Sequence, residues 1–156
     1  MNLSEKIAEA VAPLFEALPL KSAMPHLVGS NPSHVDVMQS LEKHPMLSGR
    51  PELLSALWLY VSDLDRSHTI SQSILTTTGS YLHGIMHRRE GDFSNSRYWM
   101  RRAVGHPLLL SGAVPDPDDL VDRVAAARGT DLPELVELQR QEWQAVFEYC
   151  AGLKDI

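Results

Sequence analysis

The segment that decides the fold is YLHGIMHRREGDFSNSRYWMRRAVGHP, residues 81–107. It holds three of the seven histidines and five of the fourteen lysine and arginine residues, so polar chemistry is concentrated here. Gly91 and Asp92 divide it, because glycine suits the left-handed end of a helix and aspartate caps the start of the next. Gly105 and Pro107 close the second half. The segment therefore predicts two helices joined by a tight turn.

The spacing within this hairpin resembles one unit of the tetratricopeptide (TPR) family. The matching positions are Gly84, His87, Gly91-Asp92-Phe93, Ser96, Met100, Ala103 and Pro107. The closing proline falls one place early, and Ser80 stands where a TPR unit usually has its first tryptophan. Repeat arrays need about three units, and no second copy follows here, so the resemblance implies a single TPR-like hairpin. It implies shape rather than function, and it places the rings of His83 and His87 on the inward side.

Helical periodicity, interrupted by proline and glycine, continues through the rest of the chain. Pro51 starts a strongly apolar helix, which we expect at the centre of the core. No segment alternates as strands do. We predict one compact all-α domain of about six to eight helices, including the TPR-like hairpin. Its predicted parts are N-terminal helices and a proline-rich loop in 1–45, central helices and the hairpin in 51–107, and C-terminal helices in 116–152.

Four local features of this prediction can be compared directly with a structure. Pro13 is expected to kink or break the first helix. The apolar face that begins after Pro51 extends to Leu64. Thr77 or Thr78 is expected to cap the first helix of the hairpin. Residues 108–117, rich in glycine and proline, are expected to form a loop.

The net charge of −6 is unevenly distributed along the chain. Residues 81–107 carry a net charge of +3, which leaves −9 for the remainder. An acidic protein with one basic hairpin is a poor general nucleic-acid binder, because phosphate contacts dominate that affinity. A basic hairpin can still hold a small anion, a carboxylate or an acidic peptide.

Other features of the composition bear on location and on reaction class. The longest apolar run, residues 56–61, is too short to span a membrane, and the N-terminus lacks an apolar signal core. A single cysteine, Cys150, excludes an internal disulfide framework and favours a cytoplasmic location. We expect it to pack in the core rather than act as a nucleophile. No phosphate-binding loop, dinucleotide fingerprint or zinc-ribbon cysteine pair is present.

The first candidate site is a histidine cluster on the first helix of the hairpin. His83, His87 and Glu90 are spaced i, i+4 and i+7, which places them within one stripe about 60° wide. Two imidazoles at this spacing can share a divalent metal ion, and a carboxylate one turn on can join or orient them. The spacing resembles that of helical zinc hydrolases. Gly84 stands where those enzymes have a glutamate, which argues against a metallopeptidase of that type.

His68 is a candidate fourth member of this cluster. It follows the apolar helix closely, within a polar stretch that includes Asp63 and Asp65. The simpler interpretation, which we favour, is a solvated helix end with local caps. The alternative is a loop that delivers His68 towards His83 and His87.

The second candidate site consists of arginines and an aromatic residue on the hairpin. Arg88 ends the first helix, and Arg97 and Arg101 are i, i+4 neighbours on the second, beside Trp99. Paired guanidinium groups can clamp a carboxylate or phosphate. The simpler interpretation is a solvated face with ion pairs to the acidic remainder.

Two functional hypotheses follow. The first is a central pocket that binds a divalent metal ion or a small anionic ligand, for binding or for catalysis. The second is a TPR-like module for protein interaction or self-association, with Arg97, Arg101 and Trp99 as contact residues. In that case acidic or phenolic neighbours would satisfy the histidines, which would serve only to fill the core.

Overall fold

The computed structural model of the protein describes residues 1–152. These residues contain no β-strand, so the predicted all-α class is confirmed. They form nine α-helices and one short 3-10 helix, Leu20–Ser22. In chain order the α-helices are α1 (Glu5–Ala17), α2 (Val35–Glu42), α3 (Pro51–Tyr60), α4 (Leu64–Ser71), α5 (Thr77–Glu90), α6 (Phe93–Arg102), α7 (Pro107–Ser111), α8 (Pro117–Ala126) and α9 (Pro133–Gly152).

Helix α3 lies at the centre of the core because it is apolar on nearly every side. Such a helix is stable only when other elements surround it. Its side chains from Ala56 to Tyr60 are all fully buried, which confirms the predicted central position. Trp143 of α9 donates its ring N–H to the Ala56 carbonyl at 2.7 Å and so fixes the longest helix against α3. A smaller apolar cluster joins α8 to the start of α9 around Leu120 and Leu135.

Helices α5 and α6 form the predicted hairpin. Gly91 ends α5 in the left-handed conformation, with φ of +86°, and Asp92 caps α6 by accepting the Asn95 N–H at 3.2 Å. The cap of α5 is Thr76, which accepts the Gly79 N–H at 3.2 Å. The prediction of Thr77 or Thr78 as the cap is therefore wrong by one or two places. The difference arises because several adjacent threonines offer equivalent hydroxyls.

The two helices approach each other most closely at Gly84. A Cβ atom added there would lie 2.9 Å from the Sδ of Met100, so any larger residue would push against α6. Ser96 donates its hydroxyl to the Gly84 carbonyl at 2.7 Å. Next to this close approach, the preceding residue of α5, His83, packs against the side chain of Trp99.

Three other local predictions differ from the structure. Pro13 does not break helix α1, which continues to Ala17, and Val11 and Leu14 on either side of the proline are fully buried in the core. The apolar pattern that reaches Leu64 spans two helices, since the chain turns at Ser62, with φ of +61°, before α4 begins. Part of the predicted 108–117 loop is helical, because Pro107 occupies the first turn of α7 and the His106 side chain caps it.

Within residues 1–152, no helix is both long enough and apolar enough to cross a lipid bilayer. Cys150 is buried in α9, as predicted, and burial raises the pKa of its thiol to about 12. A thiol in that state is a poor nucleophile at neutral pH.

Candidate metal centre

Helix α5 supplies two of the three histidines that meet in this region. His83 and His87 lie one turn apart on the same side of the helix, and their side chains are only 4% and 7% exposed. Their rings stack with centroids 4.7 Å apart and planes inclined by 23°. The inward placement of both rings is therefore confirmed.

The third histidine comes from α4. The ring centroid of His68 lies 4.7 Å from that of His83 and 5.4 Å from that of His87. Our preferred interpretation of His68 as part of a solvated helix end is wrong, since its half-buried ring contacts both other imidazoles. The alternative was right about the convergence but wrong about the element, because α4 rather than a loop carries His68.

The position of α4 is fixed by buried polar contacts to its neighbours. Asp63 caps it by accepting the Arg66 N–H at 3.2 Å, and the Ser67 hydroxyl donates to the Ser55 carbonyl of α3 at 3.0 Å. Arg89 is fully buried and donates to the Leu59 carbonyl and, at 2.9 Å, to the Ser62 hydroxyl. Arg89 therefore fixes the corner between α3 and α4, one turn before His68.

The ligand atoms of the cluster are close enough to share one ion. One ring nitrogen from each of His68, His83 and His87 lies within 4.8 Å of the others. In a tetrahedral zinc site, with Zn–N distances near 2.0–2.1 Å, ligand nitrogens lie about 3.4 Å apart. The three rings would have to move closer together to reach that separation around one ion, and their present spacing makes the cluster a candidate metal site.

Glu90 orients one of the rings. The Nδ1 of His87 lies 2.6 Å from Oε1 of Glu90. Because an ionised carboxylate only accepts hydrogen bonds, Nδ1 carries a proton, and in the neutral ring the lone pair then lies on Nε2. Metal-binding histidines usually have such a partner on the second ring nitrogen. Glu90 therefore acts on His87 as an orienting carboxylate does in a metal site.

His83 is the ring whose hydrogen-bonding needs are not met within the chain. Its Nδ1 is buried and has no hydrogen-bond partner. Its ring stacks on Trp99 with centroids 4.0 Å apart. Burial, together with the neighbouring His87 and His68, lowers the pKa of His83 to about 4. His83 is therefore neutral at pH 7, which is the form that binds metal.

His106 shows how a buried histidine is satisfied when it has only a structural role. It is as buried as His83, but its Nε2 lies 3.1 Å from the Thr78 hydroxyl and its Nδ1 accepts the Leu108 N–H at 3.1 Å. Both of its ring nitrogens are paired. The unpaired nitrogen of His83 is therefore not a general property of buried histidines in this protein.

A second group of possible ligands consists of His87, Glu90 and Asp92. Asp92 already accepts hydrogen bonds from the backbone and side chain of Asn95, both at 3.2 Å, as the cap of α6. Glu90 already accepts the hydrogen bond from His87. Local capping and ring orientation account for this group without an ion.

The predicted ligand-binding arginines lie in three different places. Arg88 is fully buried and makes a two-pronged ion pair with Glu142 of α9, at 2.7 and 3.2 Å. Arg97 pairs with Asp122 at 2.6 Å, and Arg101 lines a groove beside α7 and α8. We preferred to interpret these arginines as a solvated face with ion pairs to acidic residues. Arg88 does form such an ion pair, but it is buried, so the solvated face is wrong for this residue. Trp99 covers His83.

Sequence reasoning missed the buried group around Glu142. Tyr81 donates its hydroxyl to the same carboxylate at 3.2 Å, so α5 and α9 share a buried polar contact. The available signal was a glutamate beside Trp143 on the apolar stripe of α9. A charged residue in a stripe that faces the core must find a buried partner.

Comparison with known proteins does not extend these findings. No protein-family model, curated protein or solved structure matches the chain. The resemblance to a TPR unit stays a prediction about the shape of residues 81–107, and function must be argued from the site itself.

Proposed function

We propose that the protein binds a divalent transition-metal ion through His68, His83 and His87. The observations that support this most directly are the meeting of three imidazoles and the buried Nδ1 of His83, which has no hydrogen-bond partner. A buried polar atom without a partner is costly, and coordination to an ion removes that cost. The carboxylate of Glu90 on His87 supplies the usual outer partner of a metal-binding ring.

The ligand set favours some metals over others. Imidazole suits zinc, copper, iron and nickel, whereas magnesium and calcium prefer oxygen ligands. Three protein ligands leave at least one coordination position for water or a substrate, which is the arrangement of catalytic rather than structural zinc sites. His68 is the most exposed of the three rings, so the open position is expected on its side.

Metal analysis of untagged protein tests this proposal. We expect one equivalent of metal after purification or after addition of Zn²⁺, and a Co²⁺ derivative with the visible absorption of a tetrahedral site. Zn²⁺ at a hundred times its dissociation constant should raise the free energy of unfolding by about 2.7 kcal/mol. His83→Gln should lose both effects. His26→Gln, which changes an exposed histidine, is the matched control.

Two other results would contradict the metal proposal. The metal hypothesis is contradicted if the purified protein contains no metal and its thermal stability does not change when Zn²⁺, Ni²⁺ or Fe²⁺ is added. Metal binding that is retained in His83→Gln would assign the metal to other sites, such as exposed histidines.

A second candidate function is the interaction or self-association module. It is supported by a surface groove of about 400 Å³ beside Arg101, where Val104 and Leu110 are 69% and 73% exposed. Exposed apolar side chains around a groove often mark contact surfaces. Sedimentation velocity tests self-association: a dimer that dissociates in Val104→Glu supports it, and a wild-type monomer at all concentrations contradicts it.

A further inference from the structure

A second cleft lies beside the histidine cluster, between the end of α4, the start of α5 and the middle of α6. Its volume is about 490 Å³, within the range of small-molecule sites. Hydroxyl, aromatic and cationic side chains converge on it. Among the residues that line it are Ser71, Thr76, Thr77, Ser80, Trp99 and Arg102.

The cleft and the histidine cluster occupy one continuous stripe of α5. Ser80, His83 and His87 follow one another at intervals of three and four residues, so they lie on the same side of the helix. Trp99 belongs to both places, since it lines the cleft and stacks on His83. A molecule in the cleft would therefore contact the indole that stacks on His83.

The cleft contains one cation whose charge is not neutralised. Arg102 is exposed, and its guanidinium lies over the rings of Trp99 and Tyr98 at 5.4 and 5.8 Å. Among residues 1–152 no carboxylate forms an ion pair with it, whereas Arg97 on the same helix pairs with Asp122. Contact with two aromatic rings holds the Arg102 side chain at the wall of the cleft.

The rest of the cleft is lined by hydroxyl groups and by apolar side chains. The hydroxyls of Thr77 and Ser80 make no hydrogen bond to any part of the described chain. Ile74 and Leu75 form an apolar wall, and the Leu75 side chain is 95% exposed. An exposed leucine beside an unpaired arginine suits a ligand with both an apolar part and an anionic group.

We infer that this cleft binds a small organic acid, with its carboxylate at Arg102 and its apolar part against Leu75 and Trp99. The hydroxyls of Thr77 and Ser80 complete the contacts to the carboxylate, because charge-assisted hydrogen bonds are stronger than neutral ones. Binding in the cleft needs no metal ion, so this inference goes beyond the proposed metal function.

Benzoate is a suitable probe because it combines a carboxylate with a small apolar ring. We expect saturable binding of benzoate to the full chain treated with a chelator, followed by NMR shifts and by fluorescence. Trp99 should dominate the fluorescence response, since Trp58 and Trp143 are buried away from the cleft. Acetate, which lacks the ring, and benzyl alcohol, which lacks the charge, should both bind at least about tenfold more weakly.

Arg102→Gln should weaken benzoate binding at least about tenfold, because it removes a charged hydrogen-bond donor. Arg101→Gln is the matched control: it makes the same change one residue earlier, on an exposed side chain that lines a different groove. Its dissociation constant should stay within about twofold of wild type. Thr77→Val, which keeps the size but removes the hydroxyl, should also weaken binding while the fold is retained.

Three results would overturn the inference. They are an absence of saturable benzoate binding, equal weakening in Arg101→Gln and Arg102→Gln, and equal affinity for benzyl alcohol and benzoate. Failure of the metal proposal is distinguishable from these. If the protein binds benzoate but never Zn²⁺, the cleft inference is supported and the metal proposal is contradicted. If it binds Zn²⁺ but not benzoate, the metal proposal is supported and the cleft inference is contradicted.

Discussion

Helix α5 has two buried polar faces, and they differ in how far the protein itself satisfies them. On one face, Arg88 and Tyr81 both bind Glu142 of α9, so opposite charges are paired deep in the core. On the opposite face, about half a turn around the helix, His83 and His87 meet His68 of α4. That face carries three imidazole rings, and the buried Nδ1 of His83 has no hydrogen-bond partner there.

The difference separates a structural contact from a binding site. A buried ion pair with two hydrogen bonds is complete, and an added ligand has nothing to gain there. A neutral buried imidazole such as His83, whose Nδ1 has no hydrogen-bond partner, can be completed by a cation from solution. The same helix therefore joins α9 through one face and presents a candidate metal centre with the other.

The largest effect should come from breaking the paired face. Glu142→Gln leaves the Arg88 guanidinium, which is 0% exposed, without a counter-charge. Removing one partner of a buried ion pair costs about 3–5 kcal/mol in the free energy of unfolding. Urea denaturation measures this loss.

A double variant sharpens that comparison. Arg88→Met with Glu142→Leu replaces both charges by apolar groups, and it should recover a large part of the loss in Glu142→Gln. If Glu142→Gln alone is as stable as wild type, the ion pair between Arg88 and Glu142 does not stabilise the core as we describe.

The next effect concerns pH and the unpaired face. Because the pKa of His83 is about 4 when folded, below its ordinary 6.5, the unfolded chain binds this proton more readily than the folded one. His83 therefore contributes stability that is complete above pH 6.5 and is lost as pH falls towards 4, up to about 3 kcal/mol. The groups that face it are His87 and His68, with Glu90 beside His87 and the uncharged ring of Trp99.

The measurement is urea denaturation of chelator-treated protein at several pH values between 4 and 7. His83→Phe keeps a ring on Trp99 but cannot be protonated, so it should show a smaller loss of stability across this range. Identical pH profiles for the variant and the wild type would show that His83 titrates normally and is not buried as a neutral base.

The smallest effect distinguishes Glu90 from its acidic neighbour. Glu90→Gln removes the carboxylate that orients His87, and loss of such an outer partner weakens metal binding about 10–100-fold. Asp92→Asn is the matched control, because asparagine still caps α6 while the same charge is removed. Equal weakening by both changes would indicate a general electrostatic effect rather than ring orientation.

Much of this arrangement is predictable from local sequence. The hairpin turn follows from Gly91 and Asp92, whose conformational and capping preferences act within a few residues. The shared face of His83 and His87 follows from helical geometry alone. Helix class and the central position of α3 follow from periodicity, which reports burial directly.

The rest depends on contacts between residues far apart in the chain. Glu142 lies 54 residues after Arg88, and no local pattern links the two, so a buried arginine looks like a surface one. The approach of His68 depends on a corner at Ser62, a residue other than glycine in the left-handed conformation, which Arg89 from another helix stabilises. Patterns that span a corner cannot show where one helix ends and the next begins.

The attachment of α4 to α3 through the buried hydroxyls of Ser55 and Ser67 has a consequence for how the protein would respond to a bound ion. Two of the three proposed ligands belong to the long helix α5, while the third belongs to the eight-residue helix α4, which those hydroxyls hold against α3. An ion bound by all three rings would join the two helices as a non-covalent cross-link. Backbone amides of α4 would then exchange with deuterium more slowly. Occupancy of the metal site could therefore be measured from the exchange of α4, although this helix supplies only one of the proposed ligands.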